Sequence, residues 1–410
     1  MDKATKLTPN TPHSQWLWRN DTQQLLTLLN EGEATTRCVG GCVRDTLLGL
    51  ADGDTEIDMA TQLQPDAVIA RLRDAKIRWL KTGFDYGTIT AMLPHGDGWC
   101  GYEITTLRRD VESDGRHARV EQTDDWGVDA ARRDFSINAL YADGDGTLYD
   151  PTGLAFADVA ARCVRFIGDA AQRVDEDYLR VLRYFRFHFS LSPQMPMTDN
   201  NLAICAAAYA GVKNLSPERR HVELMRILQG EYADKALAQL AKTGLISAIL
   251  NIETINVSRL KSLINNNPNT PPIIRLAALL DGENVEPVAR ALRLSKKQTA
   301  LLAASLSAPQ WHSMADLPAA LYREGAEIVA HQALLLAASG GDAALCAAVQ
   351  TQATDYVRPI FPLTGAMMKE AGMAAGPQMG VMHKKLEDWW IANNFPDEIV
   401  IESELKKRLI

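Results

Sequence analysis

The hydrophobic pattern changes abruptly at Pro151, and this change constrains the fold more than any other feature of the 410-residue chain. Before Pro151, short apolar runs are separated by Gly/Asp turns, which is typical of strands joined by tight connections. After it, stretches rich in Ala and Leu have helical periodicity. We therefore predict an α+β protein, in which an α/β head (a mixed sheet with flanking helices) precedes an all-α neck, body and tail.

The predicted elements and domains follow this division. Strands are expected at 38–41, 88–93 and 102–105, and a helix is expected at 65–80, where Val68, Ile69 and Leu72 form one apolar stripe. Further helices are expected at 174–190, 217–229, 235–250, 273–279, 296–307 and 317–339, and the Asn/Pro-rich run at 265–272 is expected to be a joint between helical subdomains. The predicted domains are a loose lead-in at 1–20, a head at 21–155, a neck at 156–228, and a body and tail at 229–410.

Composition restricts the class of protein. No apolar run is long enough to span a bilayer, and residues 1–20 lack a signal-peptide pattern, so we expect a cytoplasmic protein without a membrane partner. The six cysteines lack zinc-site spacing, which indicates reduced thiols. The net charge of −8 argues weakly against a protein coated in nucleic acid, but the arginines concentrated between 108 and 226 leave room for a local basic strip.

A glycine pair at the end of a strand-like run is the first feature with chemical meaning. Gly40 and Gly41 precede an expected helix that contains Arg44. Glycines allow a phosphate to approach the backbone, the N–H groups of a helix N-terminus favour an anion, and a guanidinium donates to phosphate oxygens. Gly41 and Arg44 are therefore candidate nucleotide-binding residues, although the same pattern also describes a plain turn capped by a helix.

An acidic strand follows the glycine pair. Side chains at alternate positions of a strand share a face, which groups Asp54, Glu56 and Asp58. Two such carboxylates can bridge a pair of hard cations about 3.5–4 Å apart, as in two-metal phosphoryl transfer. Glu103 lies on a later strand and is a candidate third carboxylate. Taken alone, these residues are equally compatible with solvated acids at a sheet edge.

Four blocks, in order, resemble the class II tRNA nucleotidyltransferases and bacterial poly(A) polymerases. The first is Gly-Gly-x-x-Arg-Asp-x-Leu-Leu-Gly followed by acid-x-Asp-x-Ala-Thr, within 40–61. The second is Arg-Arg-Asp-Phe-Ser-x-Asn-Ala at 132–139, and the third is Glu-Asp-x-x-Arg at 176–180. The fourth is Glu-Arg-x-x-x-Glu at 218–223. The matching text spans about half the chain, residues 36–228, and implies a nucleotidyltransferase-type head.

The resemblance also implies roles for individual residues. Glu56 and Asp58 would hold two Mg²⁺ ions and, with Glu103, form the catalytic carboxylates. Arg133 would contact the triphosphate or the sugar, and its block is expected to form a helix with Asn138 one turn after Asp134. The polar stretch between 108 and 126 would be the loop that helps switch the enzyme from C to A addition.

The third block would select the base. A helix would align Asp177 with Arg180 and continue the ladder to Arg183 and Arg186 at i, i+3 spacing. A carboxylate accepts from the exocyclic amine of cytosine or adenine and a guanidinium donates to the adjacent ring nitrogen, whereas guanine and uracil would leave polar groups unpaired. By resemblance Asp177 and Arg180 read the base, and Arg183 and Arg186 lie beside the nucleotide. An ordinary surface ion pair would show the same spacing.

The chain departs from the family pattern at the metal motif, where Glu56 replaces the usual Asp. A register that pairs Asp54 with Glu56 is the alternative, but Asp58-Met-Ala-Thr fits the family ending without adjustment. Phosphoryl transfer is sensitive to misplacement of the reacting groups by about an ångström. Because the Glu56 side chain is longer than that of Asp, an RNA-binding relative with reduced catalytic activity is the alternative function.

The text around 79–88 and after 362 resembles that of the CCA-adding members of the family, which implies addition of CCA to tRNA from CTP and ATP. A poly(A) polymerase and a CC-only adding enzyme are the alternatives within the same chemistry. His-Asp doublets do not occur in the chain, so an added HD phosphohydrolase domain is not expected. The expected partners are tRNA, CTP and ATP, and the sequence gives no sign of an obligate protein partner.

Overall fold

A computed structural model describes residues 6–53, 55–113, 118–280 and 285–409. The chain forms two compact units. The first runs from Met1 to Glu223 and includes Lys242–Ile249, and the second comprises Leu224–Ala241 and Leu250–Ile410. The predicted head and the predicted neck as far as Glu223 therefore fall within one unit, and the proposed boundary at 155 stays a prediction.

The first unit contains a mixed seven-stranded sheet in the order β3-β4-β5-β2-β1-β8-β9. Its strands are β1 (Thr36–Val39), β2 (Ile57–Thr61), β3 (Arg78–Gly83), β4 (Thr88–His95), β5 (Gly98–Thr106), β8 (Tyr141–Ala142) and β9 (Leu148–Tyr149). The β2 and β5 strands are parallel, and the other neighbours are antiparallel. A separate hairpin pairs β6 (Arg108–Ser113) with β7 (Ala118–Gln122).

Helices complete the first unit. They are α1 (Gln15–Trp18), α2 (Asn20–Leu29), α3 (Gly41–Leu48), α4 (Pro65–Asp74), α5 (Trp126–Ala131), α6 (Ala155–Ala160), α7 (Ala170–Glu176), α8 (Leu179–Leu191), α9 (Asp199–Ala207) and α10 (Tyr209–Asn214). Helices α11 (Pro217–Gln229), α12 (Ala233–Lys242) and α13 (Leu245–Leu250) follow. No strand occurs after Tyr149 among the residues that the structure describes, which confirms the α+β division.

Both faces of the sheet bury apolar residues in part. Helices α2 and α4 pack on one face and bury Leu25, Leu29 and Leu72. The other face carries a smaller cluster near β1 and β2, which consists of Val39, Ala60, Leu107, Ala130, Ala139 and Tyr141. The functional side chains described below lie beside this smaller cluster.

The second unit is helical. Its remaining helices are α14 (Val257–Asn266), α15 (Pro272–Leu279), α16 (Val285–Leu292), α17 (Lys296–Leu306), α18 (Leu317–Glu324), α19 (Ala326–Ala338), α20 (Ala343–Thr354), α21 (Gly365–Glu370), α22 (Pro377–Ala392) and α23 (Glu398–Leu409). One apolar cluster is built around Trp311 and Val329, and a second around Trp390 and Leu386.

Several sequence-based boundaries are corrected. The helix expected at 65–80 ends at Asp74, because Lys76 turns the chain with a φ of 57° and Arg78 begins an edge strand. The expected helix at 317–339 is two helices separated by Gly325, whose φ is 90°. Residues 265–272 join two helices packed within one unit and do not separate subdomains.

The N-terminal lead-in is also corrected. Residues 6–20 are packed rather than loose, because Leu7, Trp16 and Leu17 are fully buried and Lys6 pairs with Thr147 beside the sheet. Burial of these apolar side chains favours the ordering of the segment.

Candidate nucleotide and metal site

Two acidic side chains lie next to each other on adjacent strands. Asp58 on β2 is in register with Glu103 on β5, so both carboxylates project from the same face of the sheet. Their neighbours Ile57, Met59 and Ile104 are buried on the opposite face. The structure therefore brings together two residues that are 45 positions apart in the sequence.

The third candidate acid lies at the start of this strand. Glu56 immediately precedes β2 and is exposed, two residues from Asp58. Asp54, which formed the alternative pair with Glu56, lies outside the described residues. The choice of Glu56 and Asp58 as metal ligands stays a prediction.

The electrostatics around Asp58 indicate a site with an excess of negative charge. The side chain keeps access to solvent, but the surrounding protein removes water from its carboxyl group and raises its pKa to about 6. The charges of Glu103 and Glu56 also raise this pKa, whereas the guanidinium of Arg133 lowers it. Three carboxylates and one arginine are thus electrostatically coupled at this point of the sheet.

These acids fit a hard divalent cation that shares its coordination with a substrate. Among the described residues, no cluster of three or more His, Cys, Asp or Glu side chains could hold a metal ion. Mg²⁺ in phosphoryl-transfer sites is usually bound by one or two carboxylates together with substrate phosphates and water. Carboxylates on two neighbouring strands have the chemistry for this incomplete coordination.

The glycine turn lies at the end of β1. Gly40 has a φ of 77° and a ψ of −118°, a conformation that a side chain disfavours, and α3 begins at the next residue, Gly41. Arg44 is one turn into α3, where it donates to both oxygens of Asp45 at 2.8 Å and to Asn138 Oδ1 at 2.5 Å. The predicted phosphate role of Gly41 and Arg44 stays a prediction, and Asn138 is found beside Arg44.

Arg133 is held by a buried acid that sequence reasoning missed. Asp129 is 1% exposed and accepts from Arg133 at 3.1 Å, from the Tyr141 hydroxyl at 2.8 Å and from Arg132 at 2.8 Å. The nearby arginines hold the Asp129 pKa near 2 although burial acts in the opposite direction. The sequence signal for this contact was the position of Asp129, four residues before Arg133.

The block that contains Arg133 is not one helix, contrary to the sequence-based expectation. Helix α5 ends at Ala131, and a short 3-10 turn covers Ser136–Asn138. Asn138 nevertheless reaches Asp134, because its Nδ2 donates to Asp134 Oδ1 at 3.0 Å. Asp134 and Asn138 are therefore in contact although the segment between them is not an α-helix.

The base-selecting block is also not a single helix. Asp177 lies in the break between α7 and α8, where its Oδ1 accepts from the Leu179 N–H at 3.1 Å. Its other oxygen accepts from Arg219 at 2.8 Å, and the helix on which Asp177 was expected to align with Arg180 is interrupted at this residue. An N–H at the start of a helix needs an acceptor, and Asp177 supplies one to α8.

Arg180 is fixed by a different acid. Its guanidinium is largely buried, forms an ion pair with Glu176 at 2.7 Å and donates to the Arg132 carbonyl at 3.0 Å. Glu176 also binds Arg173. Glu176 is the first residue of the third sequence block, where no role was predicted for it.

The two later arginines are engaged as well. Arg183 donates to Asp134 at 2.6 Å and lies 3.5 Å from Glu223, while Arg186 donates to Glu223 at 2.8 Å. Glu223 is 2% exposed and belongs to the fourth sequence block. Arg183 and Arg186 therefore project from α8 into ion pairs, and their predicted contact with a nucleotide stays a prediction.

Two family descriptions match the chain. Residues 36–165 match the poly A polymerase head domain, and residues 201–252 match the probable RNA and SrmB-binding site of polymerase A. The mitochondrial CCA tRNA nucleotidyltransferase 1 of Mus musculus is 31% identical over 93% of this chain and 88% of its own length. The CCA-adding enzyme of Limosilactobacillus fermentum is 28% identical over 93% of this chain and 96% of its own length.

Solved structures agree on the fold. The Bacillus stearothermophilus CCA-adding enzyme in complex with CTP has a TM-score of 0.75 at 23% identity, covering 94% of this chain and 96% of that one. The Thermotoga maritima CCA-adding enzyme complexed with tRNA has a TM-score of 0.64 at 18% identity, covering 97% and 99%. Within the described part of the chain, no helix is both long and apolar enough to cross a membrane.

Proposed function

Because the chain belongs to the CCA tRNA nucleotidyltransferase family, we propose that it adds C, C and A to the 3′ end of tRNA from CTP and ATP. The observation that carries this proposal is the similarity to the named CCA tRNA nucleotidyltransferases over nearly the full length of both chains. The register of Asp58 and Glu103 supports it, because it supplies paired carboxylates where phosphoryl transfer requires them.

The metal site is proposed to be formed by Glu56 and Asp58, with Glu103 beside them. Two bound Mg²⁺ ions would activate the RNA 3′ hydroxyl and stabilise charge on the triphosphate. The high pKa of Asp58 supports this assignment, since a cation relieves the repulsion among the three carboxylates.

The triphosphate is proposed to lie against the turn at Gly41 and the side chains of Arg44 and Arg133. Asp129 and Tyr141 orient Arg133, so its charge is preorganised beside the acidic strand. Fixed donors stabilise developing negative charge better than donors that must first reorganise. This arrangement fits a transfer in which the RNA 3′ oxygen bonds to the α-phosphorus and pyrophosphate leaves.

Base selection is proposed to depend on Asp177 and Arg180, with Arg183 and Arg186 at the nucleotide. Glu176 restrains Arg180, and Arg219 restrains Asp177, so each reader is held by its own partner. A rigid donor and acceptor can reject guanine and uracil, because those bases would leave buried polar groups unpaired.

The experiment is extension of a tRNA that lacks its 3′ end, with magnesium and each radiolabelled nucleotide in turn. Addition of C, C and A followed by a stop supports the proposal. Long A tails would identify a poly(A) polymerase, and arrest after two cytidines would identify a CC-only enzyme. RNA binding without incorporation would indicate an RNA-binding relative with reduced catalytic activity. The reason to test this alternative is that Glu56 replaces the usual Asp.

The compartment stays a prediction. A cytoplasmic location is expected from the sequence, while the mouse relative is named as a mitochondrial protein. The absence of an obligate protein partner also stays a prediction.

A further inference from the structure

One face of the sheet stays open next to the carboxylates. Residues opposite each other on neighbouring strands point to the same side. By this rule one row consists of Leu80, Thr90 and Glu103. The next row consists of Arg78, Met92 and Gly101. Pro94 and Trp99 form a third row at the end of the hairpin. Glu103 and Trp99 therefore lie on one face of the same strand.

This face carries accessible apolar side chains, although Thr90 on the same face is buried. The Trp99 side chain is 58% exposed and Leu80 is 42% exposed, whereas Ile89 and Tyr102, on the reverse face, are fully buried. Clustered large apolar side chains in contact with water usually mark a binding surface. We call Leu80, Met92, Trp99 and the exposed Arg78 the apolar shelf.

The shape of the shelf suits flat aromatic groups. Gly101, which has no side chain, is opposite Met92 and lies between Trp99 and Glu103 on β5. A Cβ there would lie 3.4 Å from Thr90 Cγ2 and 3.5 Å from Met92 Sδ. The middle of the shelf is therefore low, and Trp99 stands at one end. Aromatic side chains stack with nucleic-acid bases of any sequence.

The shelf continues from the candidate active site. Glu103 lies four positions after Trp99 on β5, which corresponds to a distance of about 13 Å at ~3.3 Å per residue. Stacked nucleotides rise by about 3.4 Å each, so the span corresponds to roughly four of them. Arg78 adds a cation that a phosphate can approach.

We propose that the apolar shelf binds the single-stranded 3′ end of the RNA substrate, with bases against Trp99 and Leu80 and a phosphate against Arg78. This inference rests on the proposed function, because it assigns the carboxylates of Asp58 and Glu103 to the RNA terminus. It adds a binding surface for the RNA chain on the sheet itself.

The test measures binding of a short 5′-labelled single-stranded RNA by fluorescence anisotropy, with no nucleotide and no metal. Trp99→Ala is expected to weaken binding about tenfold or more, the size expected for loss of one stacked base. Trp99→Phe should retain binding close to that of the unmodified protein, because its ring still stacks. Leu80→Thr, which keeps a strand-favouring residue, should weaken binding to a smaller extent.

Salt dependence separates the two kinds of contact. Arg78→Gln should reduce the slope of log affinity against log salt by about 1, because one phosphate contact is lost. Trp99→Ala should leave this slope unchanged, since stacking releases no counterions. An equal loss of slope in both variants would overturn the assignment of Trp99 to a base.

The control is Met195→Ala, which removes an exposed apolar side chain that is not on the sheet. The proposal is overturned if Trp99→Ala binds RNA as the unmodified protein does, or if Met195→Ala loses as much affinity. Failure of the proposed function is distinguishable, because RNA binding is measured without catalysis. An inactive protein with Trp99-dependent RNA binding would refute nucleotide addition and support the shelf.

Discussion

The break between α7 and α8 depends on a glycine in another helix, and this gives a sharp prediction. Tyr178, which follows Asp177 in the break, has its ring against Gly211 of α10. A Cβ at position 211 would lie 2.2 Å from Tyr178 Cδ1 and 2.3 Å from Cγ and Cε1. Non-bonded carbon atoms normally stay about 3.5–4.0 Å apart, so Gly211→Ala must displace the ring by more than about 1 Å.

Two opposing energies decide the effect on stability. Replacing a helical glycine with alanine normally stabilises a helix by about 1 kcal/mol. Overpacking of this kind costs about 1–3 kcal/mol. We expect a net free energy of unfolding between unchanged and about 2 kcal/mol lower, so the variant should fold.

The effect on function should be larger. Asp177 is bonded directly to Tyr178 and must keep its contacts with Arg219 and the Leu179 N–H. A displacement of about 1 Å at a recognition group can reduce the rate about 100-fold. Gly211→Ala should therefore raise the KM for CTP and ATP and admit UTP or GTP, as measured by single-nucleotide extension.

A double variant isolates the cause. Tyr178→Ala combined with Gly211→Ala removes the clash and should recover much of the lost selectivity. Gly380→Ala is the matched control, because a Cβ at this helical position would meet nothing within 4 Å. The reasoning fails if Gly211→Ala keeps the normal KM and base selection, or if the double variant is no better than the single one.

Four further predictions concern the acids. Asp58→Ala should abolish incorporation of CTP and ATP while thermal unfolding shows an intact fold. Full activity of this variant would show that Asp58 is not a metal ligand. Glu56→Asp should leave activity unchanged or raised. Asp177→Ala should relax base selection more than it slows incorporation, and strict selection of C and A with a reduced rate would contradict its role. Asp129, whose pKa falls from 3.8 to about 2 on folding, should contribute about 2 kcal/mol of stability above pH 4 that is lost as pH falls towards 2. Asp129→Asn should remove this acid-dependent part in urea unfolding at a series of pH values, and an unchanged pH profile would refute it.

The sequence predicts the fold class, with its strands before Pro151 and its helices after it, better than it predicts local geometry. The 217–229 helix is confirmed because its capped, amphipathic pattern has no competing signal. The 174–190 helix is wrong at Asp177, because periodicity continues through a break that is made by a side-chain acceptor and a ring packed on Gly211. Such a break depends on a tertiary contact, which periodicity does not contain.

Pairing across the sheet was likewise not predictable from local pattern. Alternation indicates that Glu103 shares a face with its own strand neighbours, but only the parallel pairing of β2 with β5 brings it level with Asp58. Among the arginines of the candidate site, the ion-pair partner is up to 49 residues away in the sequence, as for Arg183 and Asp134. Residue type indicated that these arginines needed acceptors, and the fold determines which acceptors they have.

The separate sequence blocks form one polar network, which explains how the proposed roles fit together. Glu223 lies 3.5 Å from Arg183, Arg183 donates to Asp134, Asn138 donates to Asp134, and Arg44 donates to Asn138. A buried acid or arginine is costly without a partner, so each member fixes the position of the next. The network runs from α11 through α8 to the first turn of α3, where the glycine turn ends. The elements proposed to read the base and to bind the triphosphate are therefore held in fixed positions relative to each other within this unit. A pocket that must accept both C and A requires such fixed positions.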